Sequence, residues 1–362
     1  MMKRKLFVFL FLILLTMGGC KNKEQLQDEE IVFYDRFSLG KDGILYCSDL
    51  LYITDYATGE IVPLCDKPNC AHKPRSVTNK NPQCNAAFPA VFETAFLYHD
   101  KLYAFVADGS NHTTVYMAES TGEGRRKIAE ADYTWFGCPL EFRDGKLYFT
   151  AERENYQEDT GLQREREVFI GSFDTNNQSF EILTTSDMSL YGISIYGTTS
   201  RELFFIGYKY LDDERKNLTD VSVEYIAKNL ETGEERRFLE GEDIVNHIMD
   251  LCIVETGVYY RLDKGGTYEW WKKETDGDEV FIYSTDHSEN CRPVINGEPL
   301  FEKDKSAFQK KLFVMRTCGD IVFVMDERKG GKHGIITIDN YLNDIDEIVY
   351  TEFPNMTYFV IE

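Results

Sequence analysis

An all-β fold built from repeated four-stranded antiparallel units, the β-propeller architecture, is what this 362-residue sequence predicts. Three observations carry that expectation. A short apolar strand with a bulky pair at its centre recurs six times along the chain. Each copy is followed by a second strand that runs into a polar or acidic residue and a turn. Helical spacing of apolar residues is almost absent, and β-branched and aromatic residues fill the runs. Four strands per unit, at about 45 to 60 residues per unit, is the signature of propeller blades. A pair of β-sandwiches would also be all-β, but it has no reason to repeat one strand–turn–strand phrase.

The units follow in order. Residues 31–37 are expected as the innermost strand of the first, followed by Leu45-Tyr46 in GILYCS and by LYITDYATGE. Leu102-Tyr103 with VYMAESTGE makes the second, and Leu147-Tyr148 with VFIGSFDTNN the third. Leu203-Phe204 with YIAKNLETGE, Val258-Tyr259 with VFIYSTD, and Val322-Phe323 with IITIDNY complete the series. The central pairs are 57, 45, 56, 55 and 64 residues apart. A fourth short strand closes a unit, as at 61–64 and 180–183. The Thr-Gly pairs at 58–59, 121–122 and 232–233 supply the positive φ that a tight hairpin needs. One further apolar run, 356–361, either closes the first blade and removes an open edge or belongs to a seventh. Six blades are expected, with seven the alternative.

The N-terminus reads as an export signal. Lys3, Arg4 and Lys5 precede an unbroken apolar run at 6–15, too short for a stable membrane span, and Met17-Gly18-Gly19-Cys20 follows. That ending resembles the lipobox of bacterial lipoproteins, departing at Met17, where leucine is commoner. The resemblance implies a lipoprotein signal peptide at 1–19 and an acylated Cys20, a palmitate-bearing residue that becomes the new N-terminus. The other reading is an ordinary secretory signal that contains a cysteine. Residues 20–30 are the lipidated cysteine and a solvated tether, and 31–362 a single propeller domain.

Losing the three basic residues of the signal takes the formal charge from −22 to −25. Nucleic acid is excluded as a partner, because no basic patch exists to neutralise phosphates. An anionic membrane surface would repel the domain, so attachment falls to the lipid, and two or three acyl chains hold firmly. The expected location is the extracytoplasmic face of the cell membrane.

Together with the hydrophobic-x-x-Asp-x-x-Thr-Gly-Glu phrase of the blades, signal and lipobox resemble those of TolB-like and related propeller lipoproteins exported by Gram-positive anaerobes. The segment LCDKPNCAHK at 64–73, with the later Cys84, resembles an insert common in that group. The resemblance covers nearly the whole mature chain. It implies a fold and carries no catalytic residue.

Chemistry concentrates in Cys65-x4-Cys70-x-His72-x11-Cys84, inside an insertion at 65–88. Long loops within compact repeats are usually functional or stapled. Export favours a disulfide between two of the three thiols, with the third spare or reaching Cys47. The competing reading is a closed Cys3His zinc site, structural because protein supplies all four ligands. No other cofactor is expected. Cys47, Cys138, Cys252 and Cys318 sit in predicted strands as small buried hydrophobes. Between 66 and 85 there is little apolar material beyond Ala71 and Val77, so burial offers the insertion little support.

Ligand-contact candidates are aromatic. Tyr268, Trp270 and Trp271 lie in a predicted loop at 263–279, and adjacent tryptophans face opposite ways in any extended segment. Either one of them meets a ligand or both pack around the blade edge. Trp135, in YTWF at 133–136, is the fourth. The charged stretches 155–167 and 211–220 read as solvated hairpin tips. No nucleophile elbow, zinc-protease helix, phosphate loop or dinucleotide fingerprint occurs. The expected function is therefore a non-enzymatic binding or scaffolding propeller for a protein, peptide or glycan. The alternative is a glycan-active hydrolase or lyase with carboxylates in its central funnel.

Overall fold

The computed structural model describes residues 30–107, 112–135, 139–156, 164–185, 190–210, 221–241, 248–275, 277–287 and 294–354. The signal, Cys20 and the tether up to residue 29 lie outside these residues, as do the run at 356–361, Cys138, the stretch 211–220 and most of the tip at 155–167.

Strands dominate, arranged as consecutive antiparallel meanders of the propeller type. Sheet 1 contains β1 (Val32–Tyr34), β2 (Phe37–Gly40), β3 (Gly43–Cys47), β4 (Leu51–Thr54) and β5 (Ile61–Pro63). Sheet 2 contains β6 (Val91–Tyr98), β7 (Lys101–Ala107), β8 (Thr113–Glu119) and β9 (Arg126–Ala131). After the short β10 (Thr134–Trp135), sheet 3 contains β11 (Glu141–Arg143), β12 (Lys146–Tyr156), β13 (Arg164–Asp174) and β14 (Ser179–Thr185). Sheet 4 contains β15 (Leu190–Thr198), β16 (Glu202–Tyr210), β17 (Val221–Asn229) and β18 (Glu235–Leu239). Sheet 5 contains β19 (Ile248–Val254), β20 (Gly257–Asp263), β21 (Tyr268–Glu274) and β22 (Glu279–Thr285). A small hairpin, β23 (Val294–Ile295) and β24 (Glu298–Pro299), leads to sheet 6. That sheet contains β25 (Leu312–Cys318), β26 (Ile321–Asp326), β27 (Lys332–Thr337) and β28 (Val349–Thr351).

The recurrent bulky pair always falls on the second strand of a meander: β3, β7, β12, β16, β20 and β26. These strands are buried on both faces, so they read as continuous apolar runs and not as alternating ones. Ile44, Leu102, Leu147, Leu203, Phe323 and Val324 are each 0 % exposed.

The turn phrase has a local cause. In sheet 1 the Asp55 carboxylate accepts hydrogen bonds from the N–H groups of Ala57 and Thr58 and from the Thr58 hydroxyl. Thr58 Oγ1 in turn accepts from Glu60 N–H, and Gly59 takes φ +69°. Asn229, Thr232 and Gly233 repeat the arrangement in sheet 4. In sheet 3, Asp174 bonds Asn176 and Asn177, and Gln178 takes the glycine's left-handed place at φ +53°. Short polar side chains make these turns by satisfying backbone donors within three residues.

Residues 31–37 are not one strand. Asp35 adopts φ +51°, a conformation that Asp tolerates better than most residues, and the chain reverses there into the hairpin β1–β2. Strand β2 thus opens the first meander, and β1 is an extra strand. It pairs with β2 on one side and, at Val32 opposite Glu141, with β11 of sheet 3 on the other.

Neighbouring sheets share apolar cores in chain order. Leu45, Leu51 and Ala104 join sheets 1 and 2, while Phe105, Phe142 and Phe149 join sheets 2 and 3. Ile170 with Ile195 joins 3 to 4, and Phe238 with Tyr260 joins 4 to 5. The connection before sheet 6 packs both ways. Phe301 lies edge-on to Trp270, 5.3 Å away, and Leu300 and Phe308 rest on sheet 6. Finally Phe37, Leu39 and Tyr46 of sheet 1 pack on Phe323, Ile335 and Phe353 of the last sheet and its following segment.

Candidate functional site

Two places in this frame carry polar groups set by several elements at once. One is the axis. Val32 of β1, Glu141 of β11, Tyr196 of β15, Leu251 of β19, Val294 of β23 and Arg316 of β25 surround a single cavity of about 160 Å³. First strands from four sheets therefore converge there, and β1 runs among them. Arg316 Nε donates to the carbonyl of Phe33 at 2.9 Å, and its guanidinium lies 5.4 Å over the Tyr34 ring. Gly319 N–H donates to the Glu30 carboxylate at 2.7 Å. The N-terminal strand is thus held to the last sheet by charge-assisted bonds as well as by apolar packing. Among the described residues lining the cavity, Glu141 is the one carboxylate, and Thr198 Oγ1 donates to it at 3.5 Å.

The other is the insertion. Residues 64–90 connect β5, the outer strand of sheet 1, to β6, the inner strand of sheet 2. Its middle is polar and exposed, Val77 reaching 89 %. Its last part is not: Ala86, Ala87 and Phe88 are between 0 and 1 % exposed and wedge between the two sheets. Leu51 N–H donates to Ala86 O at 2.8 Å. Arg125, from the β8–β9 turn, donates to Ala87 O and stacks over Phe88 at 4.7 Å. The apolar anchor is the C-terminal end of the 65–88 insertion and lies beyond the polar stretch at 66–85.

The structure brings Cys65, Cys70, His72 and Cys84 together, with one donor atom from each within 4.8 Å of all the others. Cys84 Sγ is 3.6 Å from His72 Nδ1. None of the described cysteines is in a disulfide. Burial raises the pKa of the Cys65 thiol, but the N–H groups of Lys67 and Asn85, with the Cys70 and Cys84 thiols, outweigh it and leave the value below that of an ordinary thiol. Burial pushes Cys84 up to about 12, the neighbouring thiols adding to the rise against the Ala86 N–H. Thiols sharing one small site resist joint ionisation unless a cation is present. Cys47 is buried in β3, outside the cluster, and Cys252 and Cys318 are buried in β19 and β25 as small apolar groups.

The aromatic candidates separate. Tyr268–Glu274 is strand β21, not a loop, and the turn before it spans only 264–267. Adjacent positions on a strand face opposite ways, and so Trp270 and Trp271 part company. Trp270 is 0 % exposed beneath Phe301, a core residue with no access to a ligand, which corrects its place among the contact candidates. Trp271 is half-buried on the face toward sheet 4, edge-on to Phe281 at 5.3 Å. Tyr268 is half-buried, with the Arg261 guanidinium 5.1 Å from its ring. Trp135 lies on β10, opposite Ala151.

Sequence reading missed a groove of about 490 Å³ between the outer edges of sheets 4 and 5, lined by Arg236, Arg237, Phe238, Lys273 and Glu279. Beside it Val280 and Phe281 are 47 and 48 % exposed on β22. The apolar run VFIY in EVFIYST was its only local signal, because the two walls come from different repeats.

The fold and these sites define a class, a propeller-type all-β protein with a cysteine-rich insertion. No family model matches the chain, and no curated protein does. Among solved structures, an oligogalacturonate lyase in complex with manganese is similar over 83 % of this chain and 72 % of its own, at 11 % identity and a TM-score of 0.45. TolB from Acinetobacter baumannii is similar over 86 % and 61 %, at 11 % identity and a TM-score of 0.35. An oligogalacturonate lyase from Vibrio parahaemolyticus is similar over 85 % and 79 %, at 9 % identity and a TM-score of 0.41. No residue role is taken from them.

Proposed function

We propose that the chain is a lipid-anchored, extracytoplasmic propeller of six blades that works as a non-enzymatic binding or scaffolding module for a protein, peptide or glycan. The packing of sheet 6 on sheet 1 supports the blade number, and the signal with Cys20 supports the anchor. The observation that carries the reading is the place of β1 at the central cavity, where Val32 sits beside the inner strands. It leaves about 160 Å³, below the roughly 300–1,000 Å³ of small-molecule sites. A polymer chain has no room there beside an acid and a base.

Binding then falls to the rim, where the groove between sheets 4 and 5 falls in that size range and Trp271 and Phe281 offer flat apolar faces beside paired charges. Aromatic faces next to polar groups suit sugar rings and peptide side chains. The test has two arms. Clickable palmitate should label the chain, and Cys20→Ser should abolish labelling. Crosslinking of the full chain in intact envelopes, read by mass spectrometry, should capture one reproducible ligand that is lost in the Trp271→Ala/Phe281→Ala double variant. Depolymerisation of an envelope glycan by the purified chain would overturn the reading.

A further inference from the structure

We infer that Cys65, Cys70, His72 and Cys84 hold one zinc ion in a closed tetrahedral site that clips the insertion to the seam between sheets 1 and 2. The inference is independent of what the rim binds.

Geometry separates a metal from a disulfide. A disulfide joins two sulfurs at about 2.05 Å and leaves the third thiol and the imidazole without a part. Here all four donors converge within 4.8 Å, and no described thiol is bonded to another. With Zn–S near 2.3 Å and Zn–N near 2.0–2.1 Å, the edges of a tetrahedral site measure about 3.5–3.8 Å. The Cys84 Sγ to His72 Nδ1 distance of 3.6 Å is already such an edge.

The donor types select the ion. Three thiolates and an imidazole, with no carboxylate among them, suit a borderline-soft cation and exclude calcium and magnesium, which take oxygen ligands. Four protein ligands leave no position for substrate, so the site is structural. The supporting groups fit as well. Backbone N–H groups of Lys67 and Asn85 meet the Cys65 sulfur, and that of Ala86 meets Cys84, bonds that orient thiolates. Asn69 and His72 adopt φ +57° and +44°, turning the CxH segment inward at a conformational cost that ligation would offset. A hollow of about 360 Å³, bordered by Lys67, His72 and Lys73, opens beside the cluster and gives the ion an entry path.

The spacing of the ligands explains what the clip does. Cys65 lies two residues after the end of β5, and Cys84 two residues before the Ala86–Phe88 wedge. One ion therefore ties both ends of the polar stretch to folded sheet, and the stretch between needs no core of its own.

The full chain, purified in detergent without chelator, should contain one zinc by elemental mass spectrometry, with Cys65, Cys70 and Cys84 alkylatable only after metal release. Replacement by cobalt should give the visible absorption of tetrahedral Co²⁺–thiolate. Cys70→Ser and His72→Ala should each weaken zinc by at least about 100-fold, more than loss of a supporting residue costs. His72→Cys should restore stoichiometric zinc with a shifted cobalt spectrum, a gain that misfolding cannot produce. Chelation should open cleavage sites within 66–83 while the sheets stay protected. A disulfide between any two of these cysteines in the metal-free chain, or cobalt bound without thiolate absorption, would overturn the inference.

Discussion

His333 shows how one side chain senses the joint between the first and last sheets. It is 3 % exposed on β27, with Phe37, Phe323 and Phe353 around it at centroid distances of 5.6–6.1 Å. Burial pulls its pKa down to about 4 from 6.5. Between those values the unfolded chain takes up a proton that the folded chain refuses. The contribution is therefore complete above about pH 6.5 and is lost as pH falls from there toward 4. Urea unfolding of the native chain should show a falling midpoint across that window. His333→Leu, close in volume, should flatten the fall, and an unchanged pH slope in the variant would show that other groups cause it. Nothing in KHGIIT marks this histidine as buried. The sequence pattern shows a strand, and the aromatic enclosure comes from Phe37 of sheet 1, Phe323 of β26 and Phe353.

At the scale of elements, one turn phrase meets two fates. Gly59 and Gly233 both take positive φ, +69° and +75°, in equivalent hairpins. A Cβ on Gly59 would sit 2.4 Å from the Tyr350 carbonyl of sheet 6, whereas one on Gly233 would meet nothing within 4 Å. Gly233→Ala should cost only the left-handed penalty, about 1–2 kcal/mol. Gly59→Ala should cost more, about 3 kcal/mol, because sheet 1 must also shift from sheet 6. Equal costs by chemical denaturation would mean that the contact at Tyr350 is slack. The turns themselves were legible, since Asp-x-x-Thr-Gly satisfies its own backbone donors within a few residues. The β1–β2 hairpin was not, because Asp35 reverses the chain without a glycine to announce it.

For the molecule as a whole, β1 joins parts that are remote in the chain. Phe33 is 3 % exposed and edge-on to Phe96 of sheet 2 at 5.9 Å, its carbonyl accepts from Arg316 of sheet 6, and Val32 pairs with Glu141 of sheet 3. Phe33→Ala should destabilise by about 3–5 kcal/mol. Hydrogen exchange should accelerate together in β6, β11 and β25, and acceleration confined to sheet 1 would show that β1 is a passive edge.

By itself, the sequence determined the strand class, the six repeats, their turns and the residue types of the cysteine cluster, because each is written in contacts between residues close in the chain. Tertiary structure alone decided that β1 lines the central cavity beside β11, that Trp270 is core while Trp271 lies half-buried toward sheet 4, and that four donors spread over 65–84 converge within 4.8 Å. Those outcomes depend on which sheets become neighbours. That is set by how the apolar faces of whole repeats pack, and no local pattern encodes it.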